Sequence, residues 1–349
     1  MKTIEFLQYR ASFAGIPFGE LQTVMSRVQT GGDWMQSCCE IARRLRKVAE
    51  QSELAGRRIS AAQTWRWAAS TYHIASFGFH IEPGKFSLKK IIKLRRLARL
   101  AYLRAIQNEP QKVCSVSIAC GDGGASINGY LRRPAATGAP LIVLLNGLDS
   151  MCEVELHTFG TWLLERNLAV LAVDLPSSFS AKPRNPRFDM ENLATSIADW
   201  AESQSFEAGK MGAFGVSFGG HLAARLLAGD SRFRSGVAVS PSAWISHREL
   251  QVERLRGMFA WSFALQTLNE INDLSSLIRL EGLPKPAGNL LVLQMEKDEL
   301  FGQEHTRAFQ NWGEEKVSIR RRQAEHVGTS QIHYWLPEVC DWLQEGLST

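Results

Sequence analysis

The sequence predicts an α/β chain in which an N-terminal helical module precedes a mostly parallel sheet covered on both faces. Up to about Pro110 apolar residues recur at three- and four-residue steps without strand alternation. Beyond Pro110 short β-rich runs alternate with helical segments. The 349 residues, 45% hydrophobic and 21% charged, suffice for a large core and about two domains, which excludes disordered and fibrous classes. With 40 Lys+Arg against 35 Asp+Glu the net charge is +5, too small for a nucleic-acid-binding composition. The longest purely aliphatic stretch, 141–145, falls far short of the ~20 apolar residues of a membrane span. Glu5 and Arg10 interrupt the N-terminus before a signal peptide develops, so a cytoplasmic location is expected.

Within the first 110 residues, Trp34, Cys38, Ile41, Leu45 and Val48 define one face of a helix. Ser60, with Gln63 as its box partner, is the expected N-cap of a second helix carrying Trp65, Ala68, Ala69, Tyr72 and Ala75. Residues 88–100 form an amphipathic basic helix, read either as a core-packed helix with a solvated basic face or as a binder of an anionic surface or acidic ligand. A strand pair, 113–119 and 125–131, flanks the Gly-Asp-Gly-Gly turn at 121–124. Core strands follow at 141–145, 169–173, 211–214, 236–239, 290–294 and 317–321, with a Pro/Arg-rich loop at 183–187. The expected domains are 1–110 and 111–349.

Gly215-Val216-Ser217-Phe218-Gly219-Gly220 stands directly between the strand at 211–214 and the helical run 221–227. In that setting G-x-S-x-G predicts a nucleophile elbow, a strained turn that lifts the Ser217 hydroxyl above the sheet edge, with the Phe218 N–H aimed at a developing oxyanion. A serine hydroxyl needs a base beside it, and the chain order Ser, acid, His selects His326, after the last strand and before the terminal helix. His73, His80, His157, His221, His247, His305 and His333 read as surface or packing residues. The acid belongs to the loop after 290–294, where Glu296, Asp298 and Glu299 are candidates and Asp298, at the turn, is preferred. The second oxyanion donor is expected in Asn146-Gly147-Leu148-Asp149-Ser150, from the Leu148 N–H first and the Gly147 N–H second, with Asp149 structuring the loop. The six cysteines contain no C-x-x-C pair or zinc-like array, so they read as reduced thiols, Cys152 included. No metal and no organic cofactor is implied.

The elbow, the Asn-Gly-Leu-Asp-Ser loop, the Asp298 turn and Glu325-His326-Val327-Gly328 together resemble one branch of the α/β-hydrolases. That branch holds FrsA-like esterases, 2,6-dihydroxypseudooxynicotine hydrolase and fungal polyketide-shortening hydrolases. Gly56-Arg57-Arg58-Ile59-Ser60-Ala61, with Trp65 and Tyr72, is similar to the family's helical cap. The resemblance implies an α/β-hydrolase fold with an N-terminal all-helical cap, Ser217 as nucleophile, Asp298 as acid, His326 as base, and an oxyanion hole around Leu148 and Phe218. The chain departs from the family at 174–179, Asp-Leu-Pro-Ser-Ser-Phe where relatives often carry Asp-Gly-Pro-Gly, and at Asn146, where a second glycine is common.

The expected function is a serine hydrolase acting on a small-molecule carbonyl substrate, either the C–C bond of an aryl or polyketide ketone or an ester. C–C cleavage would demand an additional proton donor or a positioned hydrogen-bond partner outside the triad, for which Trp244, His247 and Glu249 are candidates, the other reading of each being a surface helix. Tyr72 is a candidate pocket residue; it, Trp65, Trp67, Phe77 and Phe79 are core residues by default. An acyltransferase, cyclase or thioesterase acting on a polyketide-like acyl group remains an alternative, as does a non-catalytic binding module. No nucleic acid and no membrane span are expected, and a homodimer is left open.

Overall fold

The computed structural model describes residues 3–81, 88–120, 125–174, 190, 192–263, 265 and 267–348. The turn at 121–124, the segment 175–179 and the loop 183–187 lie outside the described residues. The chain divides into two compact units, Met1–Val113 with Glu153–Thr158, and Cys114–Cys152 with Phe159–Thr349.

The first unit contains α1 (Thr3–Phe13), α2 (Phe18–Gln29), α3 (Trp34–Leu54), α4 (Arg58–Ala75) and α5 (Leu88–Asn108). Asp33 caps α3 by accepting the Gln36 N–H at 2.6 Å. The expected stripe is buried at Trp34, Cys38, Ile41 and Leu45, but Val48 is exposed, and the stripe runs on through Ala49 and Ser52, small residues that let α3 and α4 approach. Ser60 is not a cap. The end of α3 closes in a Schellman turn, with Arg57 N–H donating to the Ser52 carbonyl, Gly56 N–H to that of Glu53, and φ +70° at Gly56. That turn delivers the chain into α4 at Arg58, which leaves Ser60 inside the first turn, its carbonyl accepting the Thr64 hydroxyl at 2.8 Å. In α5, Ile91, Leu94, Ala98, Ala101 and Ala105 are buried while Lys89, Lys90, Lys93 and Arg96 are exposed, as in the core-packed reading. Trp65, Tyr72, Phe77 and Phe79 are core residues.

The segment Glu153–Thr158 belongs to this helical unit, and a buried carboxylate holds it there. Glu155 Oε1 accepts from Arg10 Nη2 at 2.6 Å and from His73 Nε2 at 2.9 Å, and the Arg10 guanidinium lies 4.1 Å over the Phe77 ring. Burial pushes the Glu155 carboxyl up, but His73 and Arg10 outweigh it and bring it down to about 2.

The second unit is built on one sheet, β1 (Val113–Cys120), β2 (Ala125–Arg132), β3 (Leu141–Leu145), β4 (Ala169–Val173), β5 (Met211–Val216), β6 (Phe233–Val239), β7 (Asn289–Met295) and β8 (Val317–Arg322), in the order β1-β2-β4-β3-β5-β6-β7-β8. β2 runs antiparallel to β4, and β3 to β8 are parallel. β3, β4 and β5 are buried along their whole length, which explains their unbroken apolar sequences. Between and after the strands lie α6 (His157–Leu164), α7 (Leu193–Ser203), α8 (Phe218–Gly229), α9 (Glu253–Ser262), α10 (Leu268–Leu277), α11 (Gln303–Gly313) and α12 (Ile332–Leu347). β3 leads to β4 on one side and β5 to β6 on the other, so the carboxyl ends of β3 and β5 flank a topological switch point. There the connections diverge and leave a crevice. Among the described residues no helix is long and apolar enough to cross a membrane, and no disulfide joins any of the six cysteines.

Glu155→Gln is expected to lower the unfolding free energy in urea by about 3 kcal/mol, because the buried Arg10 guanidinium loses the carboxylate it bonds to. The wild-type contribution of Glu155 is complete above about pH 4.5, the ordinary carboxyl value, and is lost as the pH falls toward its folded value of about 2. A urea midpoint that is unchanged by the substitution at pH 7 contradicts this account.

Candidate active site

Ser217 occupies the turn between β5 and α8 at φ +56°, ψ −122°, a conformation that costs a non-glycine residue about 1–3 kcal/mol. The surrounding glycines make that turn sterically attainable. A Cβ on Gly215 would stand 1.9 Å from the Gly219 carbonyl oxygen, and one on Gly219 would stand 2.2 Å from the Leu145 carbonyl oxygen. Both obstructions are backbone, so neither can move aside. The turn is tied down by Ser217 N–H donating to the Val239 carbonyl at 2.8 Å and Gly220 N–H donating to the Ser217 carbonyl at 2.9 Å. The helix therefore begins at Phe218, three residues before the run expected from periodicity, and the Phe218 N–H is its first donor, without an acceptor inside the helix.

His326 lies 109 residues beyond Ser217 in sequence, yet its Nε2 is 3.0 Å from the Ser217 hydroxyl, while its Nδ1 is 2.8 Å from Asp298 Oδ2. With Nδ1–H donated to the carboxylate, Nε2 presents its lone pair to the Ser217 hydroxyl. The other Asp298 oxygen accepts the Leu300 and Phe301 N–H groups at 2.9 and 3.0 Å. Burial raises the carboxyl, but the interaction with His326 and these two donors outweigh it, so Asp298 sits below the usual carboxylate range. Glu296 and Glu299 are exposed, and Glu296 is bonded to Gln323.

Gly147 comes against the elbow: a Cβ there would be 3.3 Å from the Val216 carbonyl oxygen and 3.4 Å from Ser217 Cβ. Leu148 is buried, and its carbonyl accepts the Ser262 hydroxyl at 2.8 Å. Asn146, the departure from the family pattern, is buried and donates from Nδ2 to the Ser150 carbonyl at 3.2 Å, bridging the loop from β3.

Several supporting residues were not foreseen. Ser240 follows β6 at φ +45° and accepts the Val327 N–H on its hydroxyl at 2.9 Å, which fixes the residue after His326. Glu325 accepts the Ser330 N–H and hydroxyl at 2.8 and 2.6 Å. The Phe301 ring meets His326 edge-on at 5.5 Å and His305 at 5.2 Å. The only sequence signal for Ser240 was the Ser-Pro break that ends β6. His221 is buried one turn into α8, donating from Nδ1 to the Ser242 carbonyl at 2.9 Å and accepting Arg225 Nε–H on Nε2 at 3.0 Å. Burial, with the Arg225 charge, pushes its pKa down to about 3, so it is a neutral strut.

The segment 240–249 is not a surface helix. Glu249 is buried in a short turn, Glu249–Gln251, and accepts the Ser246 N–H and hydroxyl, with His305 Nε2 at 3.8 Å. Burial raises its carboxyl, but the Ser246 hydrogen bonds and His305 more than reverse this, so Glu249 is held as a carboxylate. Trp244 packs on the His305 ring at 4.4 Å and borders a cavity of about 580 Å³ walled by Arg279, Glu281 and Trp312, which contains none of Ser217, Asp298 and His326. His247 is exposed and bonded to Gln251. Tyr72 lies in the helical unit, in a separate cavity. Cys152 is fully buried.

The fold and parts of the sequence are shared with known proteins. A solved 2,6-dihydroxy-pseudo-oxynicotine hydrolase superposes over 97% of this chain and 95% of its own, with a TM-score of 0.85 at 18% identity. An esterase of Pyrobaculum calidifontis covers 75% of this chain and 94% of its own, with a TM-score of 0.56 at 18% identity. At such identities the likeness is one of fold. Esterase FrsA of Yersinia pestis (strain Pestoides F) is 27% identical over 175 residues, which is 48% of this chain and 40% of that esterase. The match therefore spans well under half of the curated relative's length. The family model for "Esterase FrsA-like" proteins matches residues 20–251, about two thirds of the sequence, and the chain belongs to that family of α/β-hydrolases.

Proposed function

We propose that this protein is a serine hydrolase that cleaves a small-molecule carbonyl substrate through an acyl-enzyme on Ser217. The observation that carries the reading is the continuous hydrogen-bonded line from Ser217 Oγ through the two ring nitrogens of His326 to Asp298. His326 removes the hydroxyl proton as the oxygen attacks, and Asp298 holds the tautomer and stabilises the imidazolium. The Phe218 N–H, with that of Leu148 or Gly147, receives the oxyanion. Water then resolves the acyl-serine. Residues 1–110 as a substrate-selecting cap are part of the same reading.

The motif resemblance puts a ketone whose C–C bond is cut ahead of a simple ester in this reading. Expulsion of a carbon leaving group requires a fragment that carries negative charge in a ring or enolate and accepts a proton on carbon. Glu249, held as a carboxylate, has no proton to give at neutral pH. The donor in this reading is His326, returning to the leaving carbon the proton it took from Ser217.

A fluorophosphonate probe is expected to label Ser217 and to leave Ser217→Ala unlabelled and inactive. Asp298→Asn should lower kcat by about 10⁴-fold through the wrong tautomer, while Glu296→Gln and Glu299→Gln stay near wild type. Labelling at Cys152, or a dispensable Asp298, contradicts the assignment.

In D₂O, a β-diketone or acylated phenol should yield a carboxylic acid and a fragment carrying deuterium on carbon, as read by mass spectrometry. Turnover confined to esters or thioesters, without carbon-bound deuterium, selects the esterase or thioesterase alternative.

A further inference from the structure

Residues 239–241, which close β6, meet both the Ser217 turn and the His326 loop. The Val239 carbonyl accepts the Ser217 N–H at 2.8 Å, and Pro241 packs against α8 so closely that a Cβ on Gly220 would be 2.9 Å from Pro241 Cβ. Between these two contacts, the Ser240 hydroxyl accepts the Val327 N–H at 2.9 Å. Ser240 is itself buried, and its N–H donates to the Leu293 carbonyl of β7 at 2.9 Å. The segment thus joins the backbone of Ser217 to the backbone beside His326. Among the described residues, the other hydrogen bonds of the 324–330 backbone stay within the loop and the elements flanking it, or join it to Lys297 and Trp335. Ser240 is the tie that refers this loop to the Ser217 turn.

Val327 does not take its conformation freely. It stands at φ +69°, ψ −16°, in the left-handed region where a β-branched residue is a genuine outlier. Gly328 follows at φ +61°, packed so that an added Cβ would be 2.6 Å from Met295 Cε. A strained residue keeps such a conformation only where its surroundings over-determine it. At Val327 the bond from its N–H to Ser240 Oγ serves that purpose. Without it Val327 can relax, and the relaxation passes through one peptide bond to the His326 backbone.

We propose that Ser240 is a positioning residue, whose hydroxyl holds Val327 in its left-handed conformation and thereby keeps His326 Nε2 at 3.0 Å from the Ser217 hydroxyl. The inference rests on the reading of Ser217 as nucleophile and His326 as base, and in it Ser240 touches no reacting atom. Its effect falls on the bond-forming step and not on binding, since a misplacement of about 1 Å between reacting groups can slow a step by about 100-fold.

The test is the saturation kinetics of fluorophosphonate labelling at Ser217 on the full chain, which separates the rate constant of bond formation from the binding constant of the probe. Ser240→Ala is expected to slow bond formation by about tenfold or more and to leave the binding constant within about twofold. Ser240→Gly also lacks the hydroxyl but takes φ +45° without a Cβ penalty. It should therefore exceed Ser240→Ala in urea midpoint, yet label at least as slowly, and it carries the test should Ser240→Ala fail to fold. Val327→Gly supplies a readout that a general loss of packing would not move. Glycine adopts φ +69° without strain, so in that background Ser240→Ala should slow labelling by less than about threefold.

Any of these results overturns the proposal: Ser240→Ala or Ser240→Gly labelled at the wild-type rate, a loss confined to the binding constant, or an equal loss in the wild-type and Val327→Gly backgrounds. Wild-type protein that is not labelled at Ser217 refutes the nucleophile reading and this inference with it. Wild-type labelling at Ser217 that is indifferent to the Ser240 hydroxyl refutes this inference alone.

Discussion

The contact on which the second unit depends is between two pieces of backbone, the first turn of α8 and the carboxyl end of β3. Gly219 lies so close to the Leu145 carbonyl that a single added carbon would be 2.2 Å from it, and one added to Gly215 would be closer still to Gly219, at 1.9 Å. This packing bends the chain through φ +56° at Ser217, brings the start of α8 beside the loop that follows β3, and sets Gly147 against Ser217. The positions of Ser217, of the helix N-terminus and of the loop proposed to carry the second oxyanion donor are thus consequences of one steric arrangement. The strain at Ser217 persists because neighbouring strands β5 and β6, and the Val239 carbonyl, over-determine it.

The carboxylate that meets His326 is organised by electrostatics instead. Asp298 is buried, which by itself would favour its neutral form. Two backbone donors on one oxygen and the imidazole on the other keep it charged. The Phe301 residue serves twice, its N–H on the carboxylate and its ring edge-on to His326. Ser240 and Glu325 secure the backbone on either side of the histidine. These groups remove freedom from His326, which in the proposed reading is where a positioned base gains over one in water.

The helical unit solves a different problem. It retains the segment Glu153–Thr158, only a few residues beyond the loop of Gly147 and Leu148 in sequence, through a carboxylate buried between Arg10 and His73. A buried ion pair is a weak source of net stability but a strong constraint on which segment fits, since any other partner leaves a charge unpaired.

Much of this was legible in the sequence because the determinants are local. Parallel strands buried on both faces must be apolar throughout, so β3 and β4 fall at the predicted bounds, 141–145 and 169–173. The glycine spacing around Ser217 is a direct imprint of backbone crowding, and the order Ser, acid, His narrowed the partners to one histidine and three carboxylates. What stayed hidden depends on contacts between residues distant in the chain. Whether Ser60 caps a helix was decided by the Schellman turn at Gly56, and whether Val48 is buried by how α4 lies on α3. The burial of Glu249 beside His305, and the hydroxyl of Ser240 on the Val327 amide, join positions 56 and 87 residues apart. Periodicity and motif report what the backbone demands of its own neighbours; only tertiary structure determines which polar side chains are taken out of water together, because that cost is set by partners no local pattern contains.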